Sequence, residues 1–368
     1  METNDLPDFR ARLLAWFHQF RRDLPWRRTR DPYRIWLSEI MLQQTRVAAV
    51  IPYFERFVDR FPDVHALAEA PQEEVLRLWS GLGYYSRARN LRKAAQEIVE
   101  KLDGEFPRTL EAALALPGIG AYTAAAILSI AFGEKLAVLD GNVARVLARV
   151  EAMRGDFREA RRWKKLQGAA DRLLDPAMPG DWNQAMMELG ATLCTPRAPR
   201  CLLCPVAEFC RGRKLGLAER LPEKRKKRVP IDVTLVAAVF VNARGETLLL
   251  PPPGHANGKR ADDVPTLVSR LWHFPTESSR IDVYQDLRRL LRPYSPAKAA
   301  KPSSPLALER VRHAVTYRRI ELLPFLVRVP KLPRVPAAKK VSLSAVTSLP
   351  VSNLTRKIAR AAMAAPGP

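Results

Sequence analysis

A nearly all-helical first domain followed by a smaller mixed α/β domain is the fold class that this 368-residue sequence predicts, on three observations. Apolar residues recur three and four apart, the helical period, throughout residues 1–218. A basic, proline-flanked run, ERLPEKRKKRVP, then breaks that period over residues 219–230 and reads as a linker. Beyond it, residues 231–368 open with alternating β-branched runs of strand character.

The elements can be taken in chain order. Phe9, Leu13, Leu14, Trp16, Phe17 and Phe20 form one helical stripe, and Ile35, Trp36, Ile40, Met41, Val47 and Val50 continue the pattern. In LPGIGAYTAAAI a Pro-Gly-x-Gly turn containing Gly118 and Gly120 opens into an alanine-rich helix. Backbone N–H groups freed by such a turn and by a helix N-terminus converge on one point and suit a phosphate. In AVLDGNVARVLARV, Asp140 stands where the N-cap of the next helix belongs. After the linker, Val233–Val241 and Glu246–Leu250 flank Asn242-Ala243-Arg244-Gly245, a hairpin signal. Residues 251–265, 293–305 and 330–340 are rich in Pro, Lys, Ala and Ser and read as irregular loops, and 361–368 as a frayed tail.

A formal net charge of +23 points to a polyanionic partner, with nucleic acid ahead of an anionic membrane. No apolar run approaches the roughly 20 residues that span a bilayer, and the acidic start METNDLPDF lacks the basic region of a signal peptide. A soluble intracellular protein is the expectation.

All four cysteines, Cys194, Cys201, Cys204 and Cys210, fall in one stretch with spacing C-x6-C-x2-C-x5-C. Two disulfides confined to a single small loop would add little to a chain that can bury an ample core. A metal centre is the better reading. Zinc ribbons use two C-x2-C pairs, whereas one such pair flanked by outlying cysteines is closer to iron–sulfur ligation, with zinc as the competitor.

Two carboxylates carry the chemical argument. Glu39, set among Trp36, Leu37, Ile40, Met41 and Leu42, is expected to be desolvated, with its pKa raised. Asp140, as an N-cap, is expected to be held ionised by backbone N–H groups and the helix dipole. A proton donor beside a fixed negative charge is what cleavage at a sugar anomeric carbon requires, which suggests glycosidic chemistry on DNA.

SEIMLQQTRV, GLGYYSRARNL, LPGIGAYTAAAI, VLDGNVARVLARV, NQAMMELGATLC and the cysteine cluster, in that order, resemble the MutY-type adenine DNA glycosylases of the helix-hairpin-helix superfamily, from about Leu24 to Cys210. The resemblance implies a base-excision-repair enzyme that flips out and hydrolyses adenine mispaired with 8-oxoguanine or guanine in double-stranded DNA. It implies that Glu39 protonates adenine N7 and later activates water, that Asp140 stabilises the sugar cation, and that Tyr122 and Asn142 support them. Arg27 and Gln184 would line the adenine pocket; Gln44, Leu82 and Tyr84 would wedge into the stack; Thr45 would lie near the orphaned guanine. Endonuclease III has a Schiff-base lysine where this chain has Tyr122, so a monofunctional enzyme is implied. A structural 4Fe–4S cluster on the four cysteines, presenting Arg197, Arg200, Arg211, Arg213 and Lys214 to phosphates, is the expected cofactor. A monomer in the bacterial cytoplasm, associated with the nucleoid and not with membrane, completes the expectation.

VAAVFVNARGETLLL with SRLWHFPTE resembles the Nudix-like domain by which such enzymes read 8-oxoguanine. Asp282 and Asp286 lack the clustering of a magnesium site, so recognition is the expected role. Where relatives carry Phe-Ser-His this chain reads Val315-Thr316-Tyr317, which makes Thr316 the matching candidate and leaves its geometry open; His313 reads as packing. The rival readings are an endonuclease III-like bifunctional pyrimidine-lesion glycosylase, a non-catalytic iron–sulfur DNA-binding module and, more distantly, a nucleotide-pool hydrolase.

Overall fold

The structure, a computed structural model, describes residues 3–157, 159–223, 229–252, 271–279, 282–294, 304–315 and 317–365. Its contacts separate two compact units: Met1–Ala70 with Arg89–Lys226, and Pro71–Ala88 with Lys227–Pro368.

The helices are α1 (Leu6–Phe20), α2 (Pro32–Leu42), α3 (Val47–Arg60), α4 (Val64–Glu69), α5 (Gln72–Trp79), α6 (Ser86–Lys101), α7 (Leu110–Ala115), α8 (Ala121–Phe132), α9 (Gly141–Val150), α10 (Ala160–Leu173), α11 (Pro179–Thr192), α12 (Arg211–Lys214), α13 (Val283–Leu291) and α14 (Asn353–Met363). Local chemistry sets the starts that matter for the site. Asp31 caps α2 by accepting from the Tyr33 N–H at 2.9 Å, and Pro32 occupies the first turn, where its missing N–H costs nothing. The expected hydrophobic stripe breaks between α2 and α3, where Gln44 adopts a left-handed φ of 57°. Gly118, at φ 80°, turns the hairpin before α8; a Cβ there would meet the Asn90 side chain at 2.8 Å, so glycine is required twice over.

The first unit's core gathers α1, α8, α9, α10 and α11 around Phe9, Leu13, Val143, Leu147, Leu166, Trp182 and Leu189. Helix α9 is buried nearly all round, including Arg145 and Arg149.

The second unit holds a seven-stranded sheet, with β1 (Ile231–Val241), β2 (Glu246–Leu249), β3 (Thr276–Ser278), β4 (Leu306–Ala307), β5 (Val311–Val315), β6 (Arg318–Arg328) and β7 (Lys339–Ser342), in the order β4-β6-β1-β2-β7; β3 pairs β1 and β5 pairs β6. The expected hairpin is present: Gly245, at φ 70°, donates to the Asn242 carbonyl at 3.0 Å. β1 runs parallel to β6 along its length. Leu235, Ala237 and Val239 pack with α14, while Val236, Ala238 and Phe240 pack with Leu290 of α13. Burial on both faces explains why β1 reads as a nearly continuous apolar run. Asp282 and Asp286 are held in this framework, the first as the α13 N-cap and the second bonded to Ser279 and Arg289.

A helical unit bearing the cysteine loop and a mixed α/β unit are the predicted fold class. The segment Pro71–Ala88 groups with the C-terminal unit, which chain order does not suggest. Long-range polar contacts join it there: the Ser80 and Tyr85 hydroxyls donate to the Val351 carbonyl at 3.2 and 3.1 Å, Arg356 donates to Ser80 at 2.7 Å, and Lys339 pairs with Glu73. Most of residues 251–265 and 293–305, and part of the linker, lie outside the described residues.

Candidate active site

A cavity of about 550 Å³ in the first unit is lined by Arg27, Glu39, Gln44, Thr45, Tyr122, Asp140, Asn142 and Gln184, eight of the residues singled out in the sequence. Helix α2 delivers Glu39, α8 Tyr122, the α9 N-terminus Asp140 and Asn142, and α11 Gln184.

Glu39 is 6% exposed, and its Oε2 accepts the Tyr122 hydroxyl at 2.7 Å. Burial pushes its carboxyl up to about 7; the Tyr122 bond and Arg27 act downward, and the Asp140 charge upward. Desolvation therefore wins, as the apolar neighbours in sequence predict. The Tyr122 hydroxyl also sits 3.1 Å from Met187 Sδ, and burial raises its own pKa well above the usual phenol value.

Asp140 accepts from the Asn142 N–H at 2.9 Å, the Val143 N–H at 2.7 Å and the Asn142 side-chain amide at 3.1 Å. The cap bonds expected to hold Asp140 ionised are present, and burial opposes them. Burial outweighs the two backbone bonds and the Arg145 charge, and the net direction is upward. What sets Asp140 apart from Glu39 is the three donors aimed at its oxygens, against one.

The sequence reading missed three further elements. Glu188, one helical turn beyond Gln184 on α11, lines the same cavity and binds Arg22 and Arg27. Arg145 donates to Asn142 Oδ1 at 2.9 Å, the Gly190 carbonyl at 2.7 Å and the Cys194 carbonyl at 2.8 Å. Arg149 donates to Cys194 Sγ at 3.1 Å and the Thr195 carbonyl at 2.8 Å. The only signal available was a pair of arginines four apart on an otherwise apolar helix, where an unpaired charge cannot stay buried.

The four cysteine thiols line one pocket between α9, α11 and α12. Burial pushes the Cys204 thiol up to about 12, with the other three cysteines adding to the rise. Four thiolates gathered this way need a cationic centre to share. Among the described residues, no three Cys, His, Asp or Glu side chains stand close enough to hold a single metal ion. Four thiolates around one pocket, with no His, Asp or Glu lining it, are the donor set of an iron–sulfur cluster, and the residues present fit that group.

Not every expected residue reaches the cavity. Gly118 and Gly120 are exposed on the hairpin turn, Gly120 as the N-cap of α8. Leu82 and Tyr84 belong to the second unit. Tyr84 is 45% exposed with a left-handed φ of 48°, whereas Leu82 is 8% exposed. Thr316 lies outside the described residues; its neighbour Tyr317 is stacked by Arg318 at 5.1 Å. His313, half-buried, lines a second-unit cavity of about 510 Å³ together with Arg312, Arg319 and Lys357. No helix among the described residues is long and apolar enough to cross a membrane.

Comparison with known proteins gives the same outline. Residues 37–171 match the HhH-GPD superfamily of base excision DNA repair proteins, and residues 194–210 match the iron-sulfur binding domain of endonuclease III. The adenine DNA glycosylase of Homo sapiens is 51% identical over 229 residues, which cover 60% of this chain and 42% of that protein. That of Buchnera aphidicola (subspecies Acyrthosiphon pisum) is 41% identical over 228 residues, covering 61% and 65%. The chain thus spans less than half the length of the human relative. A solved thermostable thymine-DNA glycosylase shares the fold with a TM-score of 0.53 at 31% identity, covering 58% of this chain and 98% of that one.

Proposed function

Since the chain belongs to the HhH-GPD superfamily of base excision DNA repair proteins, we propose that it is a monofunctional DNA glycosylase that removes adenine from A:8-oxoguanine and A:G mispairs. The observation that carries this reading is the placement of Glu39 and Asp140 in one cavity, Glu39 with one hydrogen-bond donor and Asp140 with three. A flipped adenine enters that cavity. Glu39, half protonated near pH 7, gives its proton to N7, so the base leaves neutral. Tyr122 occupies Oε2, which leaves Oε1 as the oxygen that carries the transferable proton. Asp140, oriented by its three donors, faces the developing sugar cation and lowers its energy. Once the base has left, the ionised Glu39 takes a proton from the attacking water. Arg145 and Arg149 tie Cys194 and Thr195, at the head of the cysteine loop, to α9, and a cluster held by the four cysteines would supply structure to the rest of that loop.

Tyr122 offers no amine to the sugar, so borohydride should trap no covalent adduct on lesion DNA. An efficient adduct would overturn the monofunctional assignment. Single-turnover release of adenine from A:8-oxoguanine and A:G duplexes tests the reading itself, and a protein that released adenine from neither would refute it.

The cluster loop makes its own prediction. Cys204→Ala should lose iron and visible absorbance together, and with them at least roughly tenfold in duplex affinity, as the basic loop is no longer held against phosphates. A wild-type protein that purifies colourless with bound zinc would contradict the cluster.

A further inference from the structure

Glu188 has no part in the steps above, yet it organises the floor of the cavity. Its side chain is 1% exposed. Oε1 accepts the Arg22 backbone N–H at 3.2 Å and Arg22 Nε at 2.7 Å. Oε2 accepts Arg22 Nη2 at 2.7 Å and Arg27 Nη2 at 2.8 Å. A carboxylate offers about four lone-pair positions, so these bonds leave Glu188 no capacity to accept from a ligand. Burial pushes its pKa up, but the arginine bonds and charges prevail and bring it down to about 2. One carboxylate between two guanidiniums leaves the floor with one net positive charge.

Arg27 is held on several sides. Besides Glu188 it donates through Nη1 to the Arg22 carbonyl at 3.2 Å, and its guanidinium lies over the Phe17 ring at 5.4 Å. A guanidinium has five N–H donors and no acceptor, so the N–H groups not used in these two bonds are what Arg27 can offer the cavity it lines.

We propose that Glu188 is a positioning residue: by saturating itself on Arg22 and Arg27 it fixes Arg27 as a donor-only reader, so that the cavity admits a base with an acceptor at N1 and rejects one with N–H there. This rests on the adenine reading above. Adenine has an acceptor at N1 beside an amino group at C6, whereas hypoxanthine, with the same ring system and nothing added at C2, has N–H at N1 beside a carbonyl at C6. A donor facing a donor in a closed pocket leaves two groups unsatisfied, and sites built on hydrogen bonds reject such mismatches by large factors. Were Glu188 free to accept, the floor could satisfy either base.

The test is single-turnover excision of adenine and of hypoxanthine from otherwise identical duplexes opposite 8-oxoguanine. Wild type should favour adenine by about a hundredfold or more. Glutamine loses the charge and one acceptor oxygen and sets an NH2 group against a guanidinium, so it cannot keep the four bonds, and Glu188→Gln should cut that ratio to below about tenfold, mainly by slowing adenine release. Duplex affinity should move by less than about threefold, because phosphate contacts are untouched. If Glu188→Gln fails to fold, Arg27→Lys, which keeps the charge and loses the fork, should show the same collapse. The double variant should match Arg27→Lys, since Glu188 acts through Arg27. An unchanged ratio in Glu188→Gln, additive losses in the double variant, or a wild type that removes hypoxanthine as fast as adenine would each overturn the proposal. A wild type that releases neither base removes the adenine reading beneath it, so the two failures are told apart.

Discussion

Glu39→Gln is expected to slow adenine release from an A:8-oxoguanine duplex by about three to four orders of magnitude while leaving duplex affinity near that of the wild type. The substitution keeps the side chain's shape and its contact with Tyr122, and removes only the proton that it can lend. The wild-type rate should follow the same group. Burial raises the Glu39 carboxyl to about 7, so the proton-bearing form is lost as pH rises through that value. Single-turnover rates should be flat below about pH 6 and fall roughly tenfold per unit above about pH 8, and the limb should vanish in Glu39→Gln. Folding stability carries the same sign. A carboxyl whose native value is raised favours the native state fully below its ordinary value of 4.5 and loses that share as pH climbs through about 7. At about 1.4 kcal/mol per unit the difference is on the order of 3 kcal/mol. Glu39→Gln should therefore melt higher than wild type at about pH 8 and no higher at about pH 4. A variant that kept full activity would place the acid elsewhere.

Asp140→Asn should cost about a thousandfold in the same assay, for a different reason. Asparagine is as good an N-cap as aspartate, so α9 should keep its start and its contacts with Asn142 and Val143. Only the negative charge facing the sugar disappears. Circular dichroism and cluster absorbance should be unchanged while the rate falls. A fall in rate that accompanied loss of helix or cluster would show Asp140 acting through structure alone.

Local patterns made much of this legible. The apolar neighbours of Glu39 foretold its burial, the Pro-Gly-x-Gly sequence foretold the hairpin, and Asp140 stood at the only plausible cap before VARVLARV. The cysteine spacing stood out because four ligands within one loop need no long-range folding to meet. What escaped depends on partners distant in sequence: Glu188 meets Arg22 and Arg27 more than a hundred and sixty residues away along the chain. Arg145 and Arg149 find their acceptors in Gly190, Cys194 and Thr195, 45 to 49 residues farther along the chain. The donors that cap Asp140 are visible in sequence, whereas the burial that opposes them and moves its pKa upward is not.

The assignment of Pro71–Ala88 to the C-terminal unit has a consequence for synthesis. On a ribosome adding roughly 5 to 20 residues per second, this segment emerges some seven to thirty seconds before residue 227 is made. Ser80 and Tyr85 must wait longer still for the Val351 carbonyl. The second unit cannot close until Val351 has been made, whereas the first unit needs nothing beyond Lys226. During that interval α5 is without Lys339, the partner of its Glu73. For the same reason, cutting the chain at the linker yields a C-terminal fragment that lacks one of its own pieces.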